Sequence, residues 1–125
     1  MTLEELKIIH PDATEETWHR HKNGNGWVQN TASVAPTAFV GENAMVYGNA
    51  VVFGDAKVSG NAMVFGDAKV FGDAKVYGNA VIFGNAWVSG NAKVFGDAKV
   101  SGNGFKWFGK MGSIPIAYRR CVLAY

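Results

Sequence analysis

Three histidines, one cysteine and a set of regularly spaced lysines are the residues of this chain whose types could do chemistry. His10, His19 and His21 all lie within the first 27 residues. The run His19-Arg20-His21-Lys22 places two imidazoles on alternate positions beside two permanent cations, which is a fragment of a metal or phosphate site. The same run also fits a solvated basic turn, and that is the reading adopted, with no metal expected. Cys121 stands alone, so neither a disulfide framework nor a thiolate metal cluster is available to it. From Val28 to Phe105 there is no histidine and no cysteine. No catalytic residue is assigned, no cofactor is implied, and the absence of a nucleophile–base pair from the centre of the chain speaks against an enzyme. The sixteen glycines are not a phosphate loop either, because no Gly-Lys-Ser/Thr follows them.

Lys57, Lys75 and Lys93 are spaced by eighteen, and the elements that must position them are written in a shorter period. From Val28 the chain falls into frames of six, such as Val40-Gly-Glu-Asn-Ala44-Met and Val46-Tyr-Gly-Asn-Ala50-Val. Thirteen frames follow without a slip, with Val in the first place of twelve and Ile82 in the other. The fifth place is Ala in twelve and Gly104 in the last. Ala and the next Val are two residues apart, so both point to one side of a short strand, and that side is the core. Gly in the third place and Asn or Asp in the fourth tolerate positive φ, so each frame turns a corner. No single frame can bury its apolar side alone; neighbouring frames must supply the rest, which is the logic of a solenoid.

Frames of this kind resemble the hexapeptide repeat of left-handed parallel β-helix proteins, the family that includes trimeric acyltransferases and gamma-class carbonic anhydrases. The likeness covers about three-fifths of the chain. It implies an all-β fold with three frames per turn, a triangular section and left-handed coiling, here about four turns. The lead-in Gly24-Asn-Gly-Trp27-Val28 is similar to small hexapeptide-repeat proteins of bacteria, phages and prophages. In those a tail domain follows a Trp-Phe…Gly-Ser segment; Trp107-Phe108 and Gly112-Ser113 are present here ahead of Tyr125. The enzymes of the family place a histidine base or three zinc-binding histidines in or beside the coils. The repeat offers none, so those sites do not carry over.

Three segments are expected. Residues 1–27 form a helical cap: Thr2 and Glu5 fit a capping box, Leu3, Leu6 and Ile9 share a face until Pro11, and Asp12 or Thr14 could start a second short helix through Trp18. Its role would be to plug the open end of the solenoid. Residues 28–105 are the β-helix. Residues 106–125, opening where Lys106 takes a Val place, are a C-terminal cap or tail with four bases and no acid.

With eighteen residues per turn, outward residues stack in columns. One face presents Met45, Tyr47, Met63, Phe65, Val81 and Phe83, and is expected to join subunits, with a trimer as the first guess from the family's habit. Another presents Lys57, Lys75 and Lys93 beside Tyr77 and Phe95, with Asp55 and Asp73 at the adjoining corner to offset the charge. With Arg119 and Arg120 of the tail, these lysines and Tyr77 are candidates for binding an anion or a protein partner. Asn43, Asn61 and Asn79 could form an amide ladder.

The net charge of +2 is too small to imply nucleic acid. No apolar run has membrane-span length and no signal-peptide pattern opens the chain, so a cytoplasmic location, in a bacterium or an infected host cell, is expected. The leading functional expectation is a non-enzymatic, oligomeric β-helix scaffold of phage or prophage type, acting by assembly or partner binding. The alternatives are an acyltransferase-like enzyme with a degenerate site using His19 or His21, and sequestration of a small anionic ligand such as a nucleotide between subunits.

Overall fold

Val and Ala recur at the spacing that lets a chain segment contribute one inward pair and then bend, and the strands are correspondingly short. The computed structural model describes residues 1–107 and 110–111. After helix α1 (Leu3–Ile9) and strand β1 (Trp18–Arg20) come β2 (Trp27–Gln29), β3 (Ser33–Val34), β4 (Phe39–Val40), β5 (Met45–Val46), β6 (Val51–Val52) and β7 (Lys57–Val58). The series continues with β8 (Met63–Val64), β9 (Lys69–Val70), β10 (Lys75–Val76), β11 (Val81–Val88), β12 (Lys93–Val94), β13 (Lys99–Trp107) and β14 (Lys110–Met111).

From β2 to β11, parallel pairing joins each strand to the one eighteen residues on. Met45 sits opposite Met63 and Met63 opposite Val81 on face one. Val51 sits opposite Lys69 and Lys69 opposite Trp87 on face two. Phe39, Lys57, Lys75 and Lys93 succeed one another on face three. The fold is therefore a parallel β-solenoid of about four turns, three strands to a turn. Because β11 runs unbroken through the corner at Gly84 to Ala86, faces one and two form a continuous hydrogen-bonded sheet.

One core runs the length of the prism. Every first-place Val from Val40 to Val94, with Ile82, is fully buried, and the fifth-place Ala beside each is buried with it. Burying a Val side chain is worth about 1.5–3 kcal/mol. Ala keeps the three walls close enough for those Val residues to meet. The corners need glycine for two reasons, which Gly72 illustrates. Its φ is +71°, and a Cβ there would lie 3.0 Å from the amide nitrogen of Gly90 in the corner below. In the first turn the glycine places hold Asn30 and Pro36, and beside them the hydroxyls of Thr31 and Thr37, in the Asn/Asp place, donate to the carbonyls of Gly48 and Gly54.

The N-terminal segment differs from expectation in two respects. The capping box forms: Thr2 Oγ1 accepts from the Glu5 amide at 3.2 Å and a Glu5 carboxylate oxygen accepts from the Thr2 amide at 2.8 Å. The Thr2 amide bond is the main reason the Glu5 carboxyl titrates below its ordinary value. No second helix follows, however. The Thr14 carbonyl accepts from the amides of Thr17 and Trp18, a single turn, and the chain then enters β1, which pairs antiparallel with β2. The three residues between Thr14 and Trp18 are too few to nucleate a helix when an open strand edge is available as a partner.

The second difference is where the cap lies. The top edges of the prism are closed by β1 and by the segment Asn23 to Gly26, whose carbonyl and amide bond Val40 at 3.1 and 2.8 Å. Helix α1 is not the plug: it packs on the outside of face one. Leu6, fully buried, meets Ala13, Trp18, Trp27 and Met45, with Tyr47 and Met63 at the margin.

Ladder pairing also continues beyond Phe105. One residue is inserted in β13 relative to β11, so that Lys106 sits opposite Trp87 and Trp107 opposite Val88. The extra residue means that Trp107, not Lys106, holds the register position under a core Val. Lys110 and Met111 then pair with Lys93 and Val94.

Candidate functional site

The outer faces are where chemistry or binding must reside, because the interior is filled with Val and Ala. On face one the second-place residues stack as rings. Tyr47 and Phe65 lie 4.8 Å apart and nearly parallel, and Phe65 and Phe83 lie 5.5 Å apart. Pairs of this kind stabilise adjacent strands by about 0.2–1 kcal/mol. Beside them Met63 and Val81 are half-buried. Met45, expected on the same exposed surface, is only 2 % exposed because α1 and the Trp residues cover it. The available apolar strip is thus Met63, Phe65, Val81 and Phe83, with Tyr47 partly under the cap. The helix that takes Met45 out of the strip presents two isoleucines of its own, Ile8 at 81 % and Ile9 at 48 % exposure.

Face three carries the lysines as the eighteen-residue spacing predicts. Lys57, Lys75 and Lys93 occupy one column, and Tyr77 stacks on Phe95 at 5.3 Å in the neighbouring column. Together with Asp55, Asp73 and Asn91 the lysines line a groove of about 400 Å3. The expected offset by carboxylates is not realised as contacts: among the described residues, no carboxylate oxygen comes within ion-pairing range of these three ammonium groups. Asp55 and Asp73 are exposed, one column over at the corner. Arg119 and Arg120 lie outside the described residues.

The amide ladder forms one turn lower than expected. Asn61 donates to Asn79 at 3.2 Å and Asn79 donates to Asp97 at 3.4 Å. Asn43 instead faces the amino group of Met1, with its Oδ1 accepting at 3.0 Å.

The histidines are not brought together as a site. His19 is exposed, with Nδ1 2.6 Å from Asn30 Oδ1. His21 is buried, and its Nε2 lies 2.8 Å from the Ala38 carbonyl, which it donates to when that nitrogen carries the proton. Among the described residues no three His, Cys, Asp or Glu side chains gather closely enough to hold a metal. His10, which carries no pattern in sequence, is the more unusual residue. Its ring lies 4.8 Å from Trp18 and 4.5 Å from Tyr47, and its Nε2 is buried without a hydrogen-bond partner. Burial pushes its pKa below the ordinary histidine value and pushes that of Tyr47 up. Arg20 anchors the other side of the cap, lying 4.4 Å over the Trp27 ring and donating to the Met1 carbonyl at 2.7 Å.

No helix among the described residues is long and apolar enough to cross a membrane. No curated protein and no solved structure matches the chain. Residues 74–90, one circuit from β10 through β11, match the family model described as the YdcK beta solenoid repeat. The eighteen-residue register and the continuous Val and Ala core make the chain a β-solenoid repeat protein, and the match over one repeat agrees with that fold.

Proposed function

We propose that this protein is a non-catalytic scaffold that assembles with copies of itself through face one. The observation that carries the reading is that apolar side chains continue on this side after the cap has covered Met45. Met63, Phe65, Val81 and Phe83 stand below the helix, and Ile8 and Ile9 protrude from the helix itself. Ring stacking accounts for Phe65 and Phe83 within one chain, but it gives no role to Ile8, whose side chain is in water. Contiguous apolar surface of this extent favours a partner. The hexapeptide-repeat resemblance supports three copies about a threefold axis, each offering the same face.

Light scattering tests this directly, since one chain has a mass of 13.4 kDa. Multiples of that mass are expected at micromolar concentration. The double substitution Phe65→Lys with Phe83→Lys should return the monomer mass while the far-ultraviolet circular dichroism of the solenoid is retained. A wild-type protein that stays monomeric at tens of micromolar would refute the assembly role.

A further inference from the structure

The ammonium column of face three differs from an ordinary solvated lysine surface in that its spacing is imposed. Lys57, Lys75 and Lys93 stand on consecutive parallel strands, about 4.8 Å apart at the backbone. Like charges at that separation repel, and nothing among the described residues neutralises them by contact. At the backbone, Lys93 pairs in turn with Lys110 on β14. A row of equal positive charges at a fixed short step is matched by a row of equal negative charges on a flexible linear chain, and a single anion such as sulfate can engage only part of it. The groove beside the lysines has room for such a chain. Tyr77 adds a second feature: Phe95 covers one side of its ring, whereas the residue above it in the column is the small Ser59.

We propose that the groove along Lys57, Lys75 and Lys93 binds a linear oligophosphate. The chemistry is shared by free polyphosphate and by the phosphate tail of a nucleotide, and Tyr77 discriminates between them, since only a nucleotide has a ring to lay against Tyr77 where the small Ser59 leaves room. The site lies within one chain on face three, so it stands or falls separately from assembly through face one. Asp55 and Asp73 flank the same groove and oppose an anion, which produces an expectation of opposite sign from the lysines.

Isothermal titration with inorganic tripolyphosphate, against orthophosphate and sulfate at matched ionic strength, is the test. Tripolyphosphate should bind at least ten-fold more tightly than either. Lys75→Gln should weaken it about five-fold, the size of one screened charge contact. Asp55→Asn with Asp73→Asn should tighten it by a similar factor. Tighter binding of ATP than of tripolyphosphate, lost on Tyr77→Ala, would assign the nucleotide form; equal binding would assign the free oligophosphate. Tripolyphosphate no tighter than sulfate would overturn the proposal. So would undiminished binding to a Lys57→Gln, Lys75→Gln variant with unchanged circular dichroism, because the tail bases would then be the binding groups.

Discussion

Leu6 is the residue whose truncation separates the cap from the solenoid. It is fully buried between the helix and the outer surface of face one, against Ala13, Trp18, Trp27 and Met45. Leu→Ala at such a site costs about 2–5 kcal/mol, and roughly 3 is apt where two large indoles limit collapse around the gap. The remaining attachments are the His10 ring against Trp18 and Tyr47, Met1 and Leu3 at the edge of the cluster, and polar contacts. The Met1 carbonyl accepts from Arg20 at 2.7 Å and from Trp27 Nε1 at 2.9 Å, each worth about 0.5–1.5 kcal/mol, or somewhat more for the charged donor. Helix α1 has seven residues, too short to persist undocked. A loss of roughly 3 kcal/mol should therefore raise the undocked population about a hundred-fold. Stability in a solenoid is transmitted between neighbouring turns, so the effect should remain at the top. Amide hydrogen exchange in Leu6→Ala provides the measurement. The His10 amide, bonded to the Leu6 carbonyl at 2.8 Å, should lose protection about a hundred-fold, while the Phe71 and Lys75 amides, each 2.9 Å from their acceptors, should not change. Equal loss at all three would refute the reasoning, by showing that cap and prism unfold as one unit.

Three further outcomes are expected. Because burial lowers the His10 pKa, the undocked cap binds more protons than the docked one between the depressed value and the ordinary 6.5. Cap docking should thus be complete above about pH 6.5 and weaken as pH falls through that window; His10→Phe, which keeps the ring contacts, should flatten the slope of α1 protection against pH relative to wild type. Gly72→Ala should destabilise the prism by about 1–3 kcal/mol in urea titration, from the left-handed φ and the approach to Gly90; Gly72→Asn should be little better, and an Asn variant near wild type would show that the backbone contact yields easily. Asn79→Ala removes two exposed amide contacts of 3.2 and 3.4 Å and should shift stability by no more than about 1 kcal/mol.

The register of the lysines was legible because it depends on a rule repeated in every frame. Once Val and Ala point inward and three frames close a turn, residue 57 lies over residue 75 whatever either one is. The same rule correctly stacks Tyr77 on Phe95 and Phe65 on Phe83. It carries no information about segments that do not repeat. The covering of Met45 depends on how Leu6 and Trp18 dock from outside the period, and hydrophobic spacing in α1 specifies an apolar face without naming its partner. Likewise, Lys106 in a Val place looked like the end of the prism; an inserted residue resolves the conflict by moving Trp107 into that register position. His10 left no trace at all, since its environment is made by Trp18 and Tyr47 from opposite sides of the cap contact.

That contact bears on assembly as well as on stability. Face one is the surface with apolar residues in both outward columns over three consecutive turns, and the chain already uses its uppermost turn to hold α1. In the proposed assembly, cap and second copy would draw on one continuous strip, the first at Met45 and the second at Phe65, Val81 and Phe83, with Met63 between them at the edge of the Leu6 cluster. If copies meet through the lower turns alone, an undocked cap leaves the interface intact and Leu6→Ala keeps the assembled mass. If Ile8 and Ile9 belong to the interface, the helix must be docked for them to be presented, and Leu6→Ala should dissociate the assembly without touching any residue in contact with the second copy. The exposure of Ile8, unexplained by anything within one chain, favours the latter, and under the proposed assembly it would make the cap part of what a neighbouring copy recognises.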